Sequence, residues 1–231
     1  MKAFTIAMDG PVAAGKGTIG CLLAEKVKGI YIYTGGMYRV LALIAEKEGV
    51  KLEDEKELLK ILQKTEINPL NGTVLVNGED VTERIKLQDV AYGASKVAIF
   101  PSIRAEMVKR QQEIADKFIS EGKIVIGEGR DAGTVIFPDS PFKIFLTATS
   151  EVRAKRRLEQ FKELGREESL EAVLEDVKKR DKADSEREAD PLVSDPKKHG
   201  YFVLDDSKLT EEKTVDIIIS EIKKRGLYDS N

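Results

Sequence analysis

The stretch that decides the fold is GPVAAGKGT at residues 10–18, which follows an apolar run at residues 4–8. Glycines let backbone N–H groups converge on phosphate oxygens, and the N-terminus of a following helix adds positive potential. Lys16 supplies a cation for the same phosphates. We therefore predict a phosphate-binding loop, and its residues are Gly10, Pro11, Val12, Ala13, Ala14, Gly15, Lys16, Gly17 and Thr18.

The residues after the loop favour this interpretation over a plain glycine turn. An apolar stripe with helical spacing begins just after Lys16, and Gly29 is placed to end that helix. The stripe consists of Ile19, Leu22, Leu23 and Val27. Strand, glycine loop and helix thus occur in the order that a phosphate site requires.

The end of the loop departs from the commonest pattern. Gly17 stands where a serine or threonine usually follows the lysine, and Thr18 comes next. This GKGT ending is more typical of kinases that act on nucleotide phosphates than of GTPases. Thr18 is the candidate metal contact, either directly or through a water molecule.

Composition restricts the class of protein. The chain has 231 residues, of which 41% are hydrophobic and 34% charged, with a formal net charge of −3. One cysteine and one histidine exclude a disulfide framework and a Cys/His zinc site within one chain. Because the chain has no basic surplus, we expect small-molecule substrates and no nucleic-acid partner. Because it shows neither a long apolar span nor a signal pattern, we expect a cytoplasmic location and no membrane partner. We also expect a monomer.

The remaining pattern predicts an α/β fold. Short apolar runs at residues 4–8, 124–126, 144–146 and 202–204 are separated by helical patterns, and a fifth strand is expected at residues 30–33. We expect a helix-flanked parallel sheet with its ligand site at the carboxyl ends of the strands.

Two segments interrupt the alternation of strands and helices. Residues 65–82 contain TVLV between two Asn-Gly pairs, which predicts a small antiparallel insert. Residues 151–190 are strongly charged and helical, as expected for a lid. We therefore divide one domain into a core (about 1–62, 91–150 and 191–231), an insert (about 63–90) and a lid (about 151–190).

A second helix predicted to begin near Gly36 carries polar candidates. Its apolar stripe, formed by Met37, Val40, Leu41 and Ile44, leaves Tyr38 and Arg39 off the buried face. Thr34 can cap this helix or bind a ligand phosphate, and both possibilities remain open here.

The segment GEGRDAGTVIFPD follows the strand at residues 124–126, so Glu128, Arg130 and Asp131 fall at a carboxyl end of the sheet. A self-contained ion pair is one interpretation. In the other, Arg130 binds phosphate and a carboxylate is left for a base or a metal.

Pro101 suits a first helical turn, which Arg104 would then share. A cation opposes the helix dipole there, which slightly favours a ligand role for Arg104. Ser95 lies on the other side of the Phe-Pro pair and carries no signal of its own.

The charged segment presents two sets of candidates. One helical face carries Arg153, Arg156 and Arg157. This face is either an ordinary solvated surface or a set of arginines that closes over a transferring phosphoryl group. In the next helix, the stripe of Leu170, Val173, Leu174 and Val177 continues in register into Arg180, Asp184 and Arg187. A polar ligand is favoured over a surface Arg180–Asp184 pair.

With these motifs the chain resembles the bacterial-type cytidylate kinases, which are P-loop nucleoside monophosphate kinases. The resemblance runs nearly end to end through GPVAAGKGT, TGGMYR, NGEDVT, ASKVAIFPSIR, GEGRDAGTVIFPD, KIFL and KKRDKADSER. It implies Mg²⁺-dependent transfer of the γ-phosphoryl group of ATP to CMP or dCMP. It also implies a P-loop core with a nucleotide-binding insert and a lid.

The resemblance also implies roles for individual residues. Lys16 and its loop would bind ATP phosphates, while Arg39 and Arg130 would bind the CMP phosphate. Ser95, Arg104 and Asp131 match positions that read cytosine, and Arg180, Asp184 and Arg187 match positions near the CMP sugar and phosphate. Thr34 and Tyr38 complete the expected CMP contacts, and Lys16, Arg130, Arg153 and Arg157 are the expected catalytic residues.

Departures from the family pattern occur beside these residues. Thr34 stands where a serine is frequent, Tyr33 stands where an aspartate is common, and the first strand of the insert is shortened. No side-chain base is needed, because the nucleophile would be a phosphate oxygen that is largely deprotonated near neutral pH. Two alternatives are a P-loop kinase for another small acceptor, such as adenylate, guanylate or shikimate, and a non-catalytic nucleotide-dependent switch.

Overall fold

The computed structural model describes residues 2–163 and 165–228 and has the predicted α/β architecture. Eight strands form one sheet in the order β5-β4-β3-β2-β6-β1-β7-β8. The strands are β1 (Thr5–Asp9), β2 (Ile30–Tyr33), β3 (Ile67–Leu70), β4 (Thr73–Val76), β5 (Glu79–Asp80), β6 (Val125–Gly129), β7 (Phe142–Thr147) and β8 (Phe202–Asp205).

Helices connect the strands along the described chain. They are α1 (Lys16–Val27), α2 (Thr34–Lys47), α3 (Glu55–Lys64), α4 (Gln88–Val97), α5 (Pro101–Ser120), α6 (Ser150–Glu163), α7 (Leu170–Glu186) and α8 (Glu211–Lys224). None of the helices within residues 2–163 and 165–228 has the length and apolarity needed to cross a bilayer.

The parallel part of the sheet confirms the predicted strands. Five consecutive strands of the sheet pair in parallel with one another, in the order β2, β6, β1, β7 and β8. Their carboxyl ends therefore share one edge. β1 lies at the centre and is buried along nearly its whole length, as a strand covered on both faces must be. The glycine loop leaves the sheet from this central strand.

The antiparallel insert is also confirmed. β3 pairs with β4 and β4 with β5 through two tight turns whose central residues all have positive φ, at Asn71 (50°), Gly72 (85°), Asn77 (49°) and Gly78 (84°). Asn-Gly favours such turns because both residues tolerate this conformation. β3 also pairs antiparallel with β2, so the insert extends the main sheet.

Some element ends differ from the sequence-based expectation. The left-handed residue that ends α1 is Lys28 (φ 52°) rather than Gly29. Gly29 instead lies where an added Cβ would be 2.5 Å from the Ile124 carbonyl oxygen, so this close approach requires a glycine. α2 begins at Thr34, before Gly36, and Tyr33 precedes it without a side-chain cap. Thr34 is therefore not the helix cap.

A buried carboxylate joins three parts of the fold at the site edge. Asp9, the last residue of β1, is fully buried. It accepts hydrogen bonds from the backbone nitrogens of Ala132 (2.7 Å) and Gly133 (2.8 Å), and from the hydroxyl of Tyr201 (2.6 Å). The turn that follows Asp131 is thereby fixed to the strand that carries the phosphate loop.

We predict that Asp9→Ala lowers the free energy of unfolding by about 3 kcal/mol or more, since each buried donor left without a partner costs about 1–3 kcal/mol. Urea denaturation of the purified variant measures this. Ser140→Ala is the matched control, because Ser140 Oγ donates to the Thr5 carbonyl at the other end of β1 (2.7 Å). An equal loss in both variants would contradict the role given to Asp9.

Candidate active site

The phosphate loop has the backbone that its glycines predict. Gly15 adopts a left-handed conformation (φ 83°) directly before α1, whose N-terminus has no side-chain cap. Gly10 passes so close to β7 that an added Cβ would lie 2.0 Å from the Leu146 carbonyl oxygen. The free N–H groups of the first helical turn therefore remain available to an anion.

Lys16, the predicted cation of the phosphate loop, is buried and bonded to the backbone of the loop itself. Its side chain is 5% exposed, and Nζ donates to the carbonyl oxygens of Gly10 and Pro11, both at 2.9 Å. Burial, reinforced by repulsion from Arg130, lowers the pKa of Lys16 to about 7. A phosphate beside the loop would restore the protonated form.

Arg157 is the described residue best suited to bind an anion. It is buried, and its Nε and Nη2 have no hydrogen-bond partner among the described residues. Its guanidinium lies over the Phe161 ring at 4.5 Å. Burial, together with repulsion from Arg180 and Arg39, lowers the pKa of Arg157 to about 10. Because buried guanidinium groups need acceptors, these three arginines form a cationic pocket suited to phosphate.

Other basic residues of the region already have carboxylate partners. Arg130 Nε binds Asp184 Oδ2 at 2.5 Å, so Asp184 does not form the surface pair with Arg180. Burial favours the neutral form of Asp184, but Arg130 outweighs this and the pKa of Asp184 is lowered. The charged end of the α7 stripe thus faces the site rather than solvent.

Helices α6 and α7 contact the phosphate loop directly. Arg153 Nη2 binds Asp181 Oδ2 at 2.7 Å, and its Nη1 donates to the Val12 carbonyl at 3.0 Å. Arg156 Nη1 binds Asp206 Oδ1 at 3.0 Å, beside Gly15. The arginine face of α6 is therefore not a solvated surface.

A second group of charges surrounds Asp131, the residue after Arg130. Arg104, in the first turn of α5, is 4% exposed and binds Asp131 Oδ2 through Nη2. Its guanidinium lies 5.8 Å from the Tyr38 ring centroid, and Arg187 Nη2 is 3.8 Å from the same Asp131 oxygen. Burial raises the pKa of Asp131, while Arg104 and Arg187 oppose the rise.

Three predicted contacts are occupied by bonds within the protein. The Thr34 hydroxyl donates to the Glu128 carbonyl, and Arg39 Nη1 donates to the Ile85 carbonyl at 2.7 Å. The exposed Ser95 donates to the Ala91 carbonyl at 3.2 Å. Arg39 still borders the cationic pocket, whereas the hydroxyl of Ser95 bonds only within its own helix α4.

The candidate metal contact is solvent-accessible. Thr18 lies exposed in the first turn of α1, and the carboxylate of the buried Glu128 acts electrostatically on Lys16 nearby. The described residues contain no cluster of three or more His, Cys, Asp or Glu side chains suited to a metal ion.

Sequence reasoning missed several acidic partners, namely Asp9, Asp181, Asp190 and Asp206. Asp181 lies three residues before Asp184, so the helical spacing places both on one face and offered a signal. Asp190 and Asp206 lie outside helices and offered none.

Comparisons with known proteins agree with this geometry. The family model described as cytidylate kinase matches residues 6–224. A curated cytidylate kinase from Caldanaerobacter subterraneus subsp. tengcongensis is 42% identical, covering 95% of this chain and 94% of the relative. The cytidylate kinase of Bacillus subtilis is 40% identical, covering 97% and 99%.

A likeness to solved structures supports the fold alone. An uncharacterized protein from Eubacterium ventriosum superposes with a TM-score of 0.54 at 14% identity, covering 95% of this chain and 98% of that one. The family is assigned from sequence similarity. Since the family model and the curated relatives both span nearly all of it, this chain belongs to the cytidylate kinase family.

Proposed function

We propose that the protein transfers the γ-phosphoryl group of ATP to CMP or dCMP. The observation that carries the proposal is the cationic pocket of Arg39, Arg157 and Arg180, where the buried Arg157 has two nitrogens without a hydrogen-bond partner among the described residues. Arg130 acts electrostatically both on Arg180 of this pocket and on Lys16 of the phosphate loop, and Asp131, the residue after Arg130, pairs with Arg104. A donor phosphate, an acceptor phosphate and a base thus each have a matching surface.

The described side chains supply positioning and charge rather than a base. ATP phosphates would contact the N–H groups after Gly15 and the ammonium of Lys16, and the CMP phosphate would bind Arg39 and Arg180 of the arginine pocket, while Arg157 would face the transferring phosphoryl group. Its oxygen is already a nucleophile near neutral pH, so alignment and neutralisation of charge carry the reaction. Arg157 and Arg153, on the lid helix α6, border both phosphates.

The loop fits a magnesium ion that arrives with ATP. Thr18 would hold it directly or through a water molecule, with the carboxylate of Glu128 nearby, and the open first turn leaves room for phosphate ligands. The ion would neutralise charge on the transferring group.

The Arg104–Asp131 pair fits cytosine better than uracil. Cytosine presents an amino donor at N4 beside acceptors at N3 and O2, whereas uracil presents a donor at N3 and an acceptor at O4. A carboxylate at Asp131 would accept from N4, and free N–H groups of Arg104 would donate to N3 or O2. With uracil, the acceptor O4 would face the Asp131 carboxylate and the donor at N3 would face the N–H groups of Arg104.

We also propose that residues about 63–90 and about 151–190 act as the nucleotide-binding insert and the lid. Contacts of Arg153 and Asp181 with Val12 support a lid that closes onto the phosphate loop. The monomeric state and the cytoplasmic location stay predictions.

A coupled assay of ADP release over CMP, dCMP, UMP, AMP and GMP tests the proposed activity. We expect CMP and dCMP to give the highest kcat/KM. Preference for AMP or GMP would assign another acceptor, and nucleotide binding without turnover on any of these acceptors would favour a switch.

The lowered pKa of Lys16 leads us to predict that the affinity for ATP depends on pH. Its pKa of about 7 in the free protein must rise beside phosphates, so binding takes up a proton at alkaline pH. We expect the Kd for ATP, measured by calorimetry, to increase by up to about tenfold per pH unit between about pH 7.5 and pH 9. Lys16→Met should abolish this dependence, and the same slope in both proteins would refute it.

Arg157 tests the role of the lid. Replacement by methionine should lower kcat by about 100-fold or more while the KM for CMP changes far less, since the lost charge acts on the transferring group. Arg166→Met is the matched control, because Arg166 also lies over the Phe161 ring (4.8 Å) but pairs with Glu168. A change confined to KM would place Arg157 on the acceptor side.

Asp131 tests how the base is read. We predict that Asp131→Ala lowers kcat/KM for CMP by more than for UMP and reduces their ratio by about tenfold or more, since each mismatched polar contact costs about 1–3 kcal/mol. Asp184→Ala, which removes the carboxylate partner of Arg130, should lower kcat/KM for CMP and for UMP by the same factor. An unchanged CMP/UMP ratio in Asp131→Ala would show that Asp131 does not read the base.

A further inference from the structure

The guanidinium of Arg104 is held from several sides. Its Nε donates to Asp190 Oδ2 at 2.6 Å, Nη1 donates to the Ala98 carbonyl at 3.3 Å, and Nη2 donates to Asp131. A guanidinium has five N–H groups, so these three bonds leave two for a ligand. The direction of those two is set by the bonds that hold the others.

Asp190 holds a second arginine as well. It has a left-handed backbone (φ 49°), which aspartate tolerates better than most residues. Its carbonyl oxygen accepts from Arg187 Nε at 2.7 Å and also from Nη2. Arg104 and Arg187 are the two cations beside the Asp131 carboxylate, so one residue anchors both neighbours of the proposed base-reading group.

The turn that contains Asp190 is tied back to α7. The Leu192 backbone nitrogen donates to the Asp184 carbonyl at 2.8 Å. α7 also carries Arg180 of the cationic pocket and the Asp184 carboxylate that holds Arg130. The Asp190 turn therefore connects the region proposed for the base with the region proposed for the phosphate.

We propose that Asp190 is a positioning residue that determines base specificity, acting through Arg104 and resting on the proposed function. Its carboxylate fixes the direction in which Arg104 presents its two remaining N–H groups. Without it, Arg104 keeps its charge and its bond to Asp131 but gains rotational freedom. A less ordered donor distinguishes less well between an acceptor and a donor at N3 of the base.

The choice of variants separates the carboxylate from the backbone. Asp190→Gly removes the carboxylate and keeps the left-handed conformation accessible. Asp190→Asn keeps the shape, the conformation and a neutral acceptor, so it should give an intermediate effect. Asp195→Asn is the control, since Asp195 lies in the same connecting segment and pairs with the exposed Lys198 at 3.0 Å.

Steady-state kinetics with CMP and UMP provide the test. In Asp190→Gly we expect the KM for CMP to rise about three- to tenfold with kcat within about twofold, and the CMP/UMP ratio of kcat/KM to fall about threefold or more. Asp190→Asn should lie between wild type and Asp190→Gly, and Asp195→Asn should match wild type.

A merely structural role would produce a different result. Asp190→Gly would then lower Tm and reduce kcat/KM for both nucleotides by the same factor, leaving their ratio unchanged, and this would overturn the proposal. If Asp190→Gly does not fold, the ratio in Asp190→Asn decides in the same way. Failure of the proposed function is distinguishable, because wild type itself would then show no preference for CMP.

Discussion

Positive charges buried side by side are the constraint on which the rest of this site depends. Lys16 and Arg157 both have a lowered pKa, because burial and neighbouring arginines disfavour their charged forms. Such repulsion is strong where water is largely excluded. The fold tolerates it only by setting carboxylates against some of the cations, and the remainder forms a pocket that an anion would stabilise.

The counter-charges come mainly from α7 and the turn after it. Asp181 holds Arg153, Asp184 holds Arg130, and Asp190 holds Arg104. Because these acids lie along one segment, movement of that segment would alter the phosphate region and the base region together. Asp9 acts from the opposite side by fixing the turn after Asp131 to β1. The site is thus held between a rigid strand and the proposed lid.

Local sequence patterns predicted the parts of the structure that local physics determines. The order of strand, glycines and helix gave the phosphate loop, and Asn71-Gly72 with Asn77-Gly78 gave the two tight turns. Long-range pairing was not predictable. Arg104 and Asp190 lie 86 residues apart, and the local sequence around each of them does not specify its partner. The place of Gly29 beside Ile124 was not predictable for a similar reason, because this close approach depends on tertiary packing.

A crystal structure of the protein with CMP tests most directly the claim that unpaired cations and a held carboxylate form one acceptor site. The account predicts the CMP phosphate within hydrogen-bond distance of Arg39 and Arg180, next to Arg157, and the cytosine N4 on Asp131. A phosphate bound away from these arginines, or a base remote from Asp131, would contradict it.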